Sequence, residues 1–199
     1  MKSLLRSSVL FLLCLFHFPA EATQVLPLTG HQLVQYANVI ADVTYLGNEN
    51  ISVADPKTGK PLPATRYQFH VEECLKGDCG GDSLSFVQFG VDRREANGAN
   101  RLFVIGIPEL KVGKEYVICL SAPGFGTGFR SFIGLGQGKF EVQKNVAGQK
   151  MLLNDFSNEG LLEGSKPVKG MKASDLPSQG PISYDNFKNM IQQSVPEKK

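Results

Sequence analysis

The chain has 199 residues, a formal net charge of +2 and 20% charged residues. This near-neutral charge argues against a nucleic-acid-binding protein, which typically carries a basic patch or stripe. The length, together with 42% hydrophobic residues, suits one domain with a hydrophobic core of its own.

Residues 1–22 predict a Sec-type signal peptide. Two basic residues precede an apolar run from Val9 to Phe18, and Ala20 and Ala22 are small residues at the positions that signal peptidase reads. The run is about half of the ~20 apolar residues that a membrane-spanning helix needs. We therefore expect cleavage after Ala22 and a periplasmic or secreted protein, without a membrane span, whose net charge falls from +2 to +1 because the signal carries two basic residues and one acidic residue.

The segment LTGHQLVQYA, residues 28–37, predicts a short N-terminal helix. Thr29 and Gln32 have the spacing of a capping box, in which each side chain binds the backbone N–H of the other residue. The residues that follow place Leu33, Val34 and Ala37 on one apolar face.

Short strands dominate the rest of the chain up to Gly164. Runs that alternate or are rich in β-branched residues lie at 38–46, 65–75, 83–90, 101–107, 114–122, 129–135, 139–142 and 150–153. Segments rich in glycine, proline and asparagine separate them and predict turns at 55–63, 76–82, 96–101 and 122–128. Short strands at close spacing indicate an all-β sandwich or barrel. We expect residues 23–164 to form that domain.

The pattern changes after Gly164. Residues 165–182 are polar and contain three prolines, which predicts a linker. Residues 183–195 predict a C-terminal helix, which Ser183 or Asp185 would cap, with one apolar face made of Phe187, Met190, Ile191 and Val195. A helix this short is marginal in water by itself, so we expect it to dock on the β-domain.

Three cysteines remain after the signal peptide, and the expected compartment permits disulfides. Cys74 and Cys79 flank the turn-like residues Leu-Lys-Gly-Asp, so we favour a disulfide between them. Cys119 lies in the apolar run EYVICL, where a free cysteine packs as a small hydrophobic residue.

The segment GLGQGKFEV, residues 134–142, resembles a nucleotide-binding loop at first sight. A Walker loop that ends at Gly138-Lys139 needs glycine at 133 and a hydroxyl at 140, where the chain has Ile133 and Phe140. The dinucleotide pattern also fails, because its third glycine would fall on Lys139. We therefore expect these glycines to serve bends or close backbone approaches in β-structure.

Histidines give the chain its main candidates for chemistry. His70, Glu72 and Cys74 would share one face of a regular strand and could bind a metal. A bulge at Glu72-Glu73 would break that alignment, and we favour solvent-exposed roles for His70 and Glu72. The zinc-protease and serine-hydrolase motifs are absent from the sequence. We assign no catalytic residue, no metal ligand and no cofactor.

The segments ANVIADVTYL, YQFHVEECLKGD, LKVGKEYVICL and GLGQGKFEV, with NDFSNEGL close behind, resemble a family of uncharacterised secreted or periplasmic bacterial proteins. The resemblance spans residues 29–162. Its first three segments also resemble the netrin-like module that tissue inhibitors of metalloproteinases contain, which implies an OB-like closed β-barrel. Those inhibitors chelate the protease zinc through an amino-terminal cysteine, whereas cleavage here would expose Thr23, so the resemblance implies the fold without that mechanism.

These observations favour a non-enzymatic extracytoplasmic binding module, with an envelope or extracellular protein as partner. Its binding surface would be built from the loops at 91–100 and 122–130, with contacts from Phe125, Phe129, Arg130, Arg93 and Arg94. Core packing is the competing role for both phenylalanines. The alternatives are a secreted hydrolase centred on His31 or His70, and a protease inhibitor that does not use an amino-terminal cysteine.

Overall fold

The structure, a computed structural model, describes residues 26–91, 106–165 and 177–194. Two α-helices, α1 (Gly30–Tyr36) and α2 (Tyr184–Ser194), and a 3₁₀ turn (Leu135–Gly138) accompany one sheet. The strands are β1 (Val39–Ala54), β2 (Pro61–Lys76), β3 (Ser83–Phe89), β4 (Glu115–Leu120), β5 (Lys139–Lys144), β6 (Lys150–Asn154) and β7 (Ile182–Ser183). The predicted mainly β class with two helices is confirmed. In this part of the chain, neither helix has the length and apolar character needed to cross a membrane.

Several predicted features lie outside the described residues. They include the signal peptide at 1–22, most of the predicted strand at 101–107, most of the linker at 165–182, and Val195 at the end of the C-terminal helix.

The sheet is antiparallel throughout, with the strand order β3-β2-β1-β4-β5-β6-β7. Among the described residues no strand ladder joins the two edges, β3 and β7, so the predicted closed barrel stays a prediction. One backbone contact does reach the β3 edge, because the N–H of Arg130 donates to the carbonyl of Val87 at 2.8 Å. The same segment forms an isolated bridge to the end of β4, between Phe132 and Leu120.

The sheet buries apolar side chains on both faces. One face holds a cluster of five aromatic rings, from Tyr45, Tyr67, Phe69, Phe86 and Phe132. The other face is covered by α1 and α2, which contribute Leu33, Val34, Phe187, Met190 and Ile191 to a second core. Because β1 and β4 contact both cores, their sequences read as nearly continuous apolar runs rather than as an alternating pattern.

The predicted bulge in β2 is confirmed. Asp42 pairs with Glu73 and Val43 pairs with Val71, which leaves Glu72 as an extra residue in β2. The Glu72 side chain accepts a hydrogen bond from Thr44, and Glu73 contacts α2, so both carboxylates lie on the helix-covered side of the sheet.

Two local predictions were wrong. Residues 129–135 do not form a strand: beyond the bridge at Phe132 the chain enters the 3₁₀ turn through Gly134, whose φ of 58° favours glycine. The predicted turn at 55–63 is shorter, because β2 already begins at Pro61. Pro61 and Pro63 are tolerated there since β3 pairs only with Ala64–His70, and among the described strands none besides β1 pairs with these two prolines.

The predicted disulfide between Cys74 and Cys79 is confirmed, and it encloses a residue that caps α1. The Lys76 ammonium donates to the carbonyls of Val34 and Ala37, both at 2.6 Å. These carbonyls have no partner within a helix that ends at this point, and a cation favours the negative end of the helix dipole. The disulfide hairpin therefore attaches the C-terminus of α1 to the sheet, while the predicted capping box of Thr29 and Gln32 is confirmed at its N-terminus.

We expect replacement of both Cys74 and Cys79 by serine to lower the free energy of unfolding by about 2 kcal/mol, because the cross-link closes only a short loop. Urea unfolding of the two proteins measures this difference. A reducing agent should destabilise the wild type by a similar amount and leave the double variant unchanged. Equal stability of wild type and variant would contradict the assigned role.

Candidate functional site

The loop that follows β4 presents the most exposed aromatic ring of the described residues. Phe125 lies at its tip with its side chain fully exposed, at 106% of the reference area. Two backbone hydrogen bonds hold the loop, from Gly124 N–H to the carbonyl of Phe129 at 2.7 Å and from Gly128 N–H to the carbonyl of Gly124 at 2.9 Å. The ring is therefore displayed on an ordered turn, and no apolar neighbour covers it in this part of the chain.

Phe129 and Arg130 lie at the base of this loop and have structural contacts. The Phe129 ring is half-buried and lies 6.2 Å from the ring of Phe89. The Arg130 guanidinium donates to the side chain of Asn38 at 3.1 Å and to the carbonyl of Ser121 at 3.3 Å. Of the three predicted contacts that the structure describes, Phe125 is the one that is free of such packing.

The remaining predicted contacts, Arg93 and Arg94, lie outside the described residues, with most of the 91–100 loop. A second turn does approach the Phe125 loop. A Cβ placed on Gly126 would lie 3.6 Å from Pro56, which belongs to the turn between β1 and β2. We name Pro56, Phe125, Phe129 and Arg130 together the loop surface.

His70 lies exposed on β2, and the bulge separates it from a regular alignment with its predicted neighbours. Cys74 is part of the disulfide and is not available as a thiolate ligand. Among the described residues, no three histidine, cysteine, aspartate or glutamate side chains converge in a way that could hold a metal ion.

His31 has one contact that the hydrolase alternative anticipates. Its Nδ1 lies 3.2 Å from Ser194 Oγ, at a cavity of about 360 Å³ between α1 and α2. The Ser194 hydroxyl, however, donates its proton to the carbonyl of Met190 at 2.8 Å. His31 therefore donates to the serine oxygen rather than accepting its proton, which is the opposite of what activation of a nucleophile requires.

A network of charged groups lies where the first turn of α2 meets the sheet. The Lys150 ammonium contacts the carboxylate of Asp42 at 2.9 Å and that of Glu115. Beside this trio, the Tyr184 hydroxyl donates to Glu73 at 3.0 Å, and Lys188 binds the other oxygen of Glu73 at 2.6 Å. Lys150 and Lys188 also lie over the Tyr184 ring, 5.1 and 5.6 Å from its centroid. The network joins β1, β2, β4 and β6 to α2.

Burial and charge shift the pKa values of this network in opposite directions. Desolvation raises the pKa of Asp42, whose side chain is 1% exposed, and the nearby carboxylate of Glu115 adds to the increase. Desolvation would lower the pKa of Lys150, but its hydrogen bonds to Glu115 and Asp42 outweigh this and raise it to about 12. The hydrogen bond from Lys188 lowers the pKa of Glu73, and burial raises that of Tyr184.

Sequence reasoning missed this network. Its members are far apart in the chain, since Lys150 contacts a residue 108 positions away. One local signal was present: Asp42 is a carboxylate within the apolar run NVIADV, at a position that faces a core. A charged residue at such a position indicates a buried partner, although not which partner.

The glycine-rich segment that resembled a phosphate loop makes internal contacts instead. Lys139 is buried and forms an ion pair with Asp155. Gln137 accepts a hydrogen bond from the N–H of Leu28 at 2.6 Å and donates to the carbonyl of Leu26 at 3.2 Å. The segment therefore attaches the N-terminal residues to the sheet, and its lysine is already neutralised.

No protein-family model matches this sequence, and comparison with curated proteins finds no match.

Proposed function

We propose that the mature chain is a non-catalytic extracytoplasmic binding module whose contacts with its partner centre on the loop surface. The observation that carries the proposal is the full exposure of Phe125 on a turn held by backbone hydrogen bonds. A large aromatic side chain gains several kcal/mol of transfer free energy when a partner buries it, and aromatic anchors dominate protein interfaces. An ordered turn also limits the conformational entropy that is lost on binding.

We further propose an OB-like, netrin-like barrel as the scaffold. Two features support it: the backbone hydrogen bond from Arg130 to Val87 across the open side of the sheet, and the aromatic cluster on the face that this contact encloses. Both lie next to the loop surface. The scaffold would thus hold the base of the loop rigid, while Phe125 extends from it.

The expected location outside the cytoplasm is supported by the disulfide, since such bonds persist mainly in oxidising compartments. An envelope or extracellular protein is the proposed partner. The near-neutral net charge gives nucleic acid no electrostatic advantage as a ligand.

Phe125→Ala tests this proposal. We expect the free energy of unfolding of the variant to lie within about 0.5 kcal/mol of the wild-type value, because the exposed Phe125 ring has no packing contacts to lose. Its affinity for a partner captured with the wild-type protein from the envelope or medium, then purified, should fall at least about tenfold, as removal of an anchor side chain predicts. Titration calorimetry measures the dissociation constants.

Val146→Ala is the matched control, because Val146 is equally exposed, at 111%, on the turn between β5 and β6. It should bind as the wild type does. If Phe125→Ala retains full affinity for the captured partner, the loop surface is not the binding site.

A hydrolase centred on His31 is the second candidate function, because His31 lies within hydrogen-bond distance of Ser194; it would require the Ser194 hydroxyl to release the Met190 carbonyl and donate to His31 instead. Activity of the purified chain on ester and peptide substrates that is lost in Ser194→Ala would favour it. Equal rates in wild type and variant would exclude Ser194 as nucleophile.

A further inference from the structure

The Asp42 carboxylate has two oxygens in different situations. Oδ2 accepts a hydrogen bond from Lys150 at 2.9 Å, whereas Oδ1 is buried and has no hydrogen-bond partner within the described ranges. A buried oxygen without a partner costs free energy, and native proteins contain few of them. This position therefore calls for a physical explanation.

Tyr184, the first residue of α2, supplies the neighbouring polar group. Its hydroxyl carries one proton, and the hydroxyl lies near enough to the carboxylates of Asp42 and Glu73 to affect the pKa of each. In the structure the proton goes to Glu73, at 3.0 Å. An ionised Asp42 is left with an unsatisfied Oδ1, because a carboxylate can only accept hydrogen bonds.

We propose that protonation of Asp42 tightens the attachment of α2 to the sheet. A proton on Oδ1 turns that oxygen into a donor toward the Tyr184 hydroxyl oxygen, which continues to donate to Glu73. The result is one directed chain of hydrogen bonds from β1 through α2 to β2. Each bond in such a chain polarises the next, so the chain is stronger than its separate members.

The charges around Asp42 also favour its protonation. The groups that act on it are Lys150 on β6, Glu115 on β4 and Tyr184 on α2. Glu73, its pairing partner on β2, is bound by Tyr184 and by Lys188 of α2. With every acid ionised, the network holds three carboxylates against two ammonium groups. Protonation of Asp42 makes it neutral, which reduces the free-energy cost of keeping it buried.

The pH range in which α2 is attached most tightly follows from the pKa shifts of Asp42 and Glu73. The pKa of Asp42 is raised, so the folded state holds the proton more tightly than the unfolded chain, and stability rises as pH falls through that pKa. The pKa of Glu73 is lowered, so its bonds to Tyr184 and Lys188 persist until the solution is more acidic. Attachment is therefore tightest between the two values.

Asp42→Asn tests the proposal, since its amide group can donate to Tyr184 and accept from Lys150 at any pH. We expect the amides of α2 to exchange more slowly in the variant than in the wild type at about pH 7, and this difference to shrink as the pH falls through the raised pKa of Asp42. For each unit by which the pKa of Asp42 exceeds its unfolded value, the exchange ratio should change about tenfold.

Glu115→Gln is the matched control, because it removes a charge beside Lys150 and leaves the Asp42 carboxyl and the Tyr184 hydroxyl in place. Its α2 exchange should keep a pH dependence of the wild-type kind, moved toward lower pH because the Glu115 charge contributes to the raised pKa of Asp42. Parallel pH profiles of wild type and Asp42→Asn would overturn the proposal. If Asp42→Asn does not fold, titration of the Asp42 carboxyl carbon by NMR decides instead. An Asp42 pKa at or below its ordinary value refutes the proposal. A raised Asp42 pKa, with chemical shifts of Tyr184 that change over the same pH range, supports it.

Discussion

Replacement of Phe187 by alanine is expected to lower the free energy of unfolding by about 3–5 kcal/mol, the usual range for a fully buried phenylalanine. The Phe187 side chain is 0% exposed, and its ring packs edge to face against Phe140 at 4.9 Å. With Met190 and Ile191, it packs α2 into the core of the helix-covered face. Because α2 has only 11 residues, its helical structure depends on packing contacts of this kind.

Urea unfolding followed by circular dichroism measures the loss, and hydrogen exchange of the α2 amides shows whether this helix detaches before the sheet unfolds. Gln192→Ala is the matched control on the exposed side of the same helix, and it should change stability by less than about 0.5 kcal/mol. A Phe187→Ala variant as stable as this control would mean that α2 contributes little to the core.

Local patterns predicted the elements whose signals lie within a few residues of each other. The capping box at Thr29 and Gln32, the apolar face of Phe187, Met190 and Ile191, and the alternation around Phe69 all depend on spacings that backbone geometry fixes. The pairing of Cys74 with Cys79 belongs to the same class, because a short turn leaves the two thiols few other choices.

Features set by tertiary contacts could not be predicted in this way. Residues 129–135 have the composition of a strand. They form none, because the N–H of Arg130 bonds to Val87 and the chain turns at Gly134 into a 3₁₀ turn. The contact of Lys150 with Asp42 likewise depends on how the sheet curves, since β1 and β6 are not neighbours in the strand order. Phe125 was predicted in part: the sequence places it in a loop, but its full exposure among the described residues is seen only in the structure.

Gly138→Ala is the second substitution with a large expected effect, and we expect it to cost about 3 kcal/mol or more, at the upper end of what overpacking does. A Cβ at this position would overlap the backbone carbonyl of Ile133 and lie 3.0 Å from its nitrogen. Backbone atoms cannot rotate away as a side chain can, so the 3₁₀ turn or the start of β5 must move. Gly124→Ala is the control, because its nearest contact is the Thr127 side chain at 3.2 Å.

Thermal unfolding of the two glycine variants also separates the structural role of GLGQGK from anion binding. A phosphate ligand that binds the folded state would raise the Tm of the wild type in proportion to its concentration, by mass action. We expect no shift with ATP or inorganic phosphate, because Lys139 is already paired with Asp155 and buried against the Tyr116 ring, 5.8 Å from its centroid. A phosphate-dependent Tm that Gly138→Ala abolishes would contradict this, since the glycines would then serve a ligand as well as the close approach to Ile133.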